Sequence, residues 1–503
     1  MYLGKLEGMI CMKKIVRNVM IIVMVLTLTI NYAVVFATPP EKPGGENGNG
    51  GGPGSNSSSA SISHTGATEV SSDTTSSKST YSSETGSQNA LLVTGGTSTI
   101  SDSTVTKSGD ADGDNSDFYG TNAAVLVKEG TLNIDGGTVT TNGSHANGIF
   151  AYSKGVINVS DTTIKTSSNN SGAIMVTGGG TLTANNVTAE TEGNSSAPIR
   201  SDRGGGTLTV NGGTYTSHGT GSPTIYSTAD ITVNGSNLTS TSSEGVVVEG
   251  KNSVALNNVT MEATNTKLNG NSETYKSIFI YQSMSGDADV GTSTFSAKNS
   301  KIINNKGDII FVTNTSTVIE LENNEIMNND STGGFLKVGA AKWGTSGSNG
   351  GNVTLNAKNQ KIEGNIEVDN ISTLDLALSN GSSYTGTING DNTAKSIVVT
   401  LDSSSILTLT GDTYITELNN SVEDNSNINL NGYTLHIGEA STSSESSNVE
   451  TKANSNENST KEDAKDNSYQ VIFYVAGAIG VVIVVTIVIA LIADKISKGK
   501  NKK

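Results

Sequence analysis

One thirteen-residue phrase recurs nine times along this chain, and no other feature limits its possible folds as strongly. The copies begin at Thr97, Thr131, Val156, Thr181, Thr207, Asp230, Ser253, Thr294 and Val318, separated by steps of 34, 25, 25, 26, 23, 23, 41 and 24 residues. TLNIDGGTVTTNG and TLTVNGGTYTSHG are two of them. A unit this short cannot bury its apolar face alone, so a near-constant period implies stacked units.

Columns inside the phrase define the unit. Its second position is almost always apolar (Leu132, Ile157, Leu182, Leu208, Ile231), as are its fourth (Ile134, Val159, Val210, Leu256) and ninth (Val139, Ile164, Leu238, Ile302). Thr, Asn or Ser mostly lies between the second and fourth, and such period-two alternation marks a strand with one inward face. The fifth and sixth positions are polar or glycine, as in Asp135-Gly136 and Asn257-Asn258. These residues tolerate left-handed backbone angles, so each coil turns there.

A second strand precedes each phrase: NAAVLV, NGIFAY, SGAIMV, SAPIRS, SPTIYS, EGVVVE. Its fourth positions, Val125, Phe150, Ile174, Ile199, Ile225 and Val247, read as another inward column. The expected fold is all-β, a right-handed parallel β-helix over residues 90–438. Hexapeptide coils repeat near ~18 residues, shorter than these steps.

The ends read as targeting and linker segments. Lys13, Lys14 and Arg17, an apolar stretch at 19–30 and Val35-Phe36-Ala37 make residues 1–37 a secretory signal, with translation expected to start at Met12. Cys11, the only cysteine, lies before or inside it, which leaves no disulfide chemistry for the mature chain. Residues 38–89 read as a disordered Gly/Pro/Ser/Thr-rich leader and 439–470 as a disordered stalk. The uncharged run 471–493 is long enough to span a bilayer, and residues 494–503 form a lysine-rich tail on the cytoplasmic side. The expected location is therefore a single-pass cell-membrane protein with its N-terminus and β-helix outside.

The chain carries 31 basic and 47 acidic residues, and residues 38–493 alone carry 22 and 45. This excess of negative charge disfavours nucleic acid and anionic lipid, and leaves cations and neutral glycans as suitable partners.

Three groups of residues carry possible chemistry. Arg200 and Arg203 are the only arginines besides Arg17, and they stand in Ile199-Arg200-Ser201-Asp202-Arg203-Gly204-Gly205-Gly206. The planar fork of arginine suits carboxylates, so Arg200, Asp202 and Arg203 read either as a pocket for an acidic sugar or as a clamp. In the clamp, Arg203 pairs with Asp202 at a glycine-tightened turn. Arg200 is expected to point outward beside Leu126, Ala151, Met175 and Tyr226. Alternating aspartates in two Gly-Asp-Ala-Asp strings form the second group. Asp110, Asp112, Asp114 and Asp117 suit Ca²⁺, the only cofactor the pattern suggests, and the alternative is a solvated acidic turn. The second string is Gly286-Asp287-Ala288-Asp289. The third group is aromatic. Trp343, the only tryptophan, suits a sugar face or a plug on the solenoid wall, and Tyr152, Tyr226 and Tyr281 are further stacking candidates. His64, His145, His218 and His436 are scattered, and neither a nucleophilic triad nor a metal cluster is visible.

The repeated T-L-T-V-N-G-G-T coils, the secretion signal and the C-terminal anchor together resemble pectate-lyase-like β-helix and adhesin-like surface proteins of Gram-positive bacteria. That resemblance implies a glycan-binding or adhesive protein, a polysaccharide lyase or a hydrolase. Lyases of this fold set a proton-abstracting Arg or Lys beside Ca²⁺-binding aspartates on neighbouring coils. Here only Arg200, Asp202 and Arg203 match, without an acidic pair on the adjacent coils. The expected function is a membrane-anchored, glycan-binding or adhesive β-helix, leaning away from an enzyme. The alternatives are a lyase or hydrolase, and a structural spacer.

Overall fold

The computed structural model describes residues 62–438 apart from Asn271. They form a parallel β-solenoid of the right-handed type with about 15 turns. The one α-helix among them is Asp114–Tyr119.

Each coil contributes strands to three faces. In one mid-solenoid coil these are Ile174–Thr177, Gly180–Asn185 and Thr188–Thr191. The next coil supplies Ile199–Ser201, Gly206–Asn211 and Thr214–Ser217, each parallel to its predecessor. The nine phrase starts lie in unbroken register, Thr97 beside Thr131, then Val156, and on to Val318. So do the ninth positions on the third face, from Val105 to Ile326. These columns merge into one elongated apolar core.

The turns follow the expectation. The sixth residue has positive φ in all nine copies, from Asp102 (47°) and Gly136 (69°) to Asn323 (55°). At the fifth position Asn185, Asn211, Asn234 and Asn257 form an amide ladder, with successive side chains hydrogen-bonded at 2.9, 2.9 and 3.0 Å. The ladder satisfies polar groups that the stacking brings close together.

One boundary and one strand parity differ from the sequence reading. The first coil starts at Gly66 rather than 90, with strands Gly66–Val70, Thr74–Ser77 and Thr80–Ser83 inside the expected leader. Its inward positions hide the pattern, because Ser76 stands where Ile100 follows and Tyr81 where Val105 follows. A 2.6 Å hydrogen bond between the Ser76 and Tyr81 hydroxyls satisfies both. The second difference is one of parity. Ile149 and Val246 occupy the inward column, which turns Phe150 and Val247 outward. These runs are apolar at consecutive positions, so alternation cannot choose a face, and a one-residue slip reverses it.

The signal, residues 38–61 of the expected leader, the stalk, the 471–493 run and the tail lie outside the described residues. Among the described residues no helix is long and apolar enough to cross a membrane.

Two core tyrosines offer a matched test. The Tyr384 hydroxyl donates to the Gly364 or Thr387 carbonyl, at 2.9 and 3.0 Å. The Tyr215 hydroxyl, between Ala189 and Leu238, meets no partner among the described residues. Removing an unpaired buried hydroxyl relieves desolvation, whereas removing a paired one strands its acceptor. Tyr215→Phe is therefore expected to stabilise by about 1 kcal/mol and Tyr384→Phe to destabilise by about as much, read from denaturation midpoints.

Candidate functional site

The outward column of the first face runs Leu92, Leu126, Phe150, Met175, Arg200, Tyr226, Val247, Phe279, Phe311, Lys337, Glu367. Phe150, rather than Ala151, is the member from its coil. Outward apolar residues need cover, and excursions from the regular coil supply it. The excursion holding helix Asp114–Tyr119 lies near Leu126, Phe150 and Met175, where Gly120 abuts Leu126 and Phe150. Trp343 covers the second cluster, with its ring centroid 5.1 Å from Phe279 and 5.2 Å from Tyr281. The indole is thus a plug on the solenoid wall.

Arg200 and Asp202 sit between these clusters. An Arg200 Nη donates to Asp202 at 2.9 Å and the other to the Ser195 carbonyl at 3.3 Å. Asp202 also accepts the Arg203 backbone N–H at 2.9 Å. The Arg203 guanidinium turns away, donating Nε–H and Nη2–H to Asp287 at 3.1 and 2.7 Å and lying 4.0 Å from the centre of the Phe118 ring. The expected Arg203–Asp202 clamp is therefore two clamps, Arg200 on Asp202 and Arg203 on Asp287. The glycine turn is as expected, with φ of 82°, 56° and 153° at Gly204, Gly205 and Gly206. Arg203 links three parts of the chain: its own coil, the Asp287 loop, and the helix bearing Phe118.

The excursions that carry the two Gly-Asp-Ala-Asp strings thus come to one face, where Phe118 and Asp287 both meet Arg203. Asp117 accepts from His145 Nδ1, 2.9 Å away. Asn170 Nδ2 donates to His145 Nε2 at 3.1 Å, which assigns the imidazole proton to Nδ1. Asp110 accepts the Ser144 backbone N–H at 2.7 Å. Asp110, Asp112, Asp114 and Asp117 do not converge, as no three of them bring oxygens within 4.8 Å of one another. Their short spacing suggested Ca²⁺, but a helix starting at Asp114 and separate partners for Asp110 and Asp117 disperse the carboxylates.

Glu249, which the sequence reading did not single out, completes the site. It is buried and accepts hydroxyl hydrogen bonds from Tyr226, Ser283 and, at 2.9 Å, Tyr281. Burial, reinforced by this carboxylate, pushes both tyrosine hydroxyls well above their ordinary pKa. Burial pushes the Asp202 carboxyl up to about 6, against the pull of Arg200.

Between the clamps lies a cleft of about 350 Å³, whose lining includes Asp117, Phe118, Asn170, Tyr226, Asn269 and Asp287. Arg200 and Asp202 border it as well. Three carboxylates against one guanidinium, together with amides, hydroxyls and one phenyl ring, suit a polyhydroxylated ligand better than an anion. The chain matches no family model, no curated protein and no solved structure.

Proposed function

We propose that this chain is a membrane-anchored, extracytoplasmic solenoid that binds glycans, as an adhesin-like surface protein does, in the cleft above Arg200 and Asp202. The signal-like start and the 471–493 run support the location. One observation carries the binding role: two insertions from distant coils are pinned by Arg203 and Asp287 around a polar cleft, whereas the Trp343 excursion only covers apolar wall. A spacer needs no such excursions. Both guanidinia are engaged by aspartates, so neither is a free proton-abstracting base, and an acidic sugar would have to displace Asp202 or Asp287 to reach them. We therefore assign neutral or amino sugars as the ligand class, with amide and carboxylate acceptors meeting sugar hydroxyls and Phe118 offering a ring edge or face.

A glycan array probed with the purified chain tests this. Neutral or amino glycans are expected to bind, and Asn269→Ala to weaken that binding about tenfold, the equivalent of one good hydrogen bond. Absence of binding across a broad panel, or binding unchanged in Asn269→Ala and Asp287→Asn, would overturn the cleft as a ligand site.

A further inference from the structure

The third face carries a different cluster, remote from the cleft residues in its chemistry. Glu190 lies at an outward position of strand Thr188–Thr191, and Glu192 follows that strand. His218 follows the next coil's strand, Thr214–Ser217, and its backbone N–H donates to the Thr191 carbonyl at 2.9 Å. Stacking thereby brings one imidazole against two carboxylates. His218 Nε2 is 3.3 Å from Glu190 Oε1 and 3.9 Å from Glu192 Oε1. These three residues are the one group of His, Cys, Asp or Glu among the described residues whose ligand atoms all lie within 4.8 Å.

Hydrogen bonds hold the imidazole at both ring nitrogens. Thr241 Oγ1 donates its proton to the Ser217 carbonyl at 3.3 Å. It also lies 3.2 Å from His218 Nδ1, where it can accept that nitrogen's proton once Nε2 ligates a metal. Without a metal, His218 Nε2–H donates to Glu190 Oε1 at 3.3 Å, because a carboxylate can only accept, and a cation entering the cluster would take the place of that proton. An outer partner that holds the second ring nitrogen is the usual support of a metal-bound histidine. Lys165, 2.7 Å from Glu190 Oε2, occupies the far carboxylate oxygen and leaves Oε1 for the cluster. Two carboxylates and one lysine leave one net negative charge facing the imidazole. One nitrogen and two oxygens form a donor set for a borderline transition-metal dication, whereas Ca²⁺ takes oxygen ligands.

We propose that Glu190, Glu192 and His218 bind one divalent transition-metal ion of the Zn²⁺ type, which clips two successive coils together across the third face. Glu190 Oε1, Glu192 Oε1 and His218 Nε2 are its protein ligands. Thr241 orients the imidazole, and the site's remaining positions open to solvent.

Calorimetric titration of the tag-free full-length chain with Zn²⁺ tests this. One equivalent is expected to bind, with Ca²⁺ failing to compete. His218→Gln and Glu192→Gln should each weaken binding at least about tenfold, and Thr241→Val should weaken it by about the factor typical of an outer partner, roughly tenfold. All three residues are at the surface, so the metal-free variants should melt with the wild type, and a shared melting temperature shows that lost binding is not lost fold. Absence of saturable one-to-one binding would leave a proton as the bridging charge and overturn the proposal. Binding that survives His218→Gln would place the metal at another histidine and overturn it equally.

Discussion

Asp202→Ala is expected to cost about 3–5 kcal/mol of stability, because it leaves the Arg200 guanidinium buried without the oxygen acceptor that the carboxyl supplies in either protonation state. Arg200 and Asp202 have side-chain exposures of 11% and 7%, so water reaching them from the cleft replaces the lost partner only in part. The double variant Arg200→Met/Asp202→Leu should regain most of that loss, since the ion pair itself repays little beyond its own desolvation. The pH dependence has a defined sign. Burial raises the Asp202 carboxyl to about 6 from 3.8, so the folded chain holds this proton more tightly than the unfolded chain. The contribution of Asp202 to stability is therefore greatest below about 4, falls as pH rises through about 6, and is level above that. Denaturation midpoints measured from pH 4 to 7 should show this slope in the wild type and lose it in the double variant. A single variant no less stable than the wild type would mean that Arg200 finds another partner, and the clamp would lose its meaning.

The fold was legible wherever chemistry repeated. Each sixth residue of the phrase tolerates positive φ, and each second and fourth residue points inward, so register and turns could be read from the columns. Legibility failed where both parities were apolar, as at Ile149-Phe150 and Val246-Val247. There the outward side chain is apolar because an excursion covers it, a tertiary fact with no local signature. It failed again at Ser76 and Tyr81, where a hydroxyl pair replaces aliphatic packing.

The candidate site was legible in part. The rarity of arginine pointed to Arg200 and Arg203, and the structure brings both to one face with Asp202 and Tyr226. Partner identity was not legible, since Asp287 lies 84 positions from Arg203 and meets it only after three coils have stacked. The enlarged 34- and 41-residue intervals were the available signal, because extra length in a solenoid leaves the wall and must pack somewhere. Glu249 carried a weaker signal, an acidic residue ending an otherwise apolar strand. Glu190, Glu192 and His218 carried none, since their proximity depends on the register of the third face.

Leu208→Asp should break the solenoid locally. Leu208 is fully buried, between Leu182 and Ile231 in the continuous column. Truncating a buried leucine costs roughly 3–5 kcal/mol, and placing a carboxyl there without a partner adds a further desolvation penalty. In a globular core such a loss would be shared by the whole domain. In a solenoid each coil touches only its neighbours, so stability is a sum of coil and interface contributions and the loss stays near its source. Hydrogen exchange in this variant should show lost protection in Gly180–Asn185, Gly206–Asn211 and Asp230–Asn234, with Thr373–Ser379 and Ser396–Leu401 still protected. Uniform loss along the chain would instead show one cooperative unit. The affected coils carry Arg200, Asp202 and Tyr226 on one face and Glu190, Glu192 and His218 on another. Local melting should therefore abolish cleft binding and Zn²⁺ binding together, whereas Asn269→Ala should touch only the first and His218→Gln only the second.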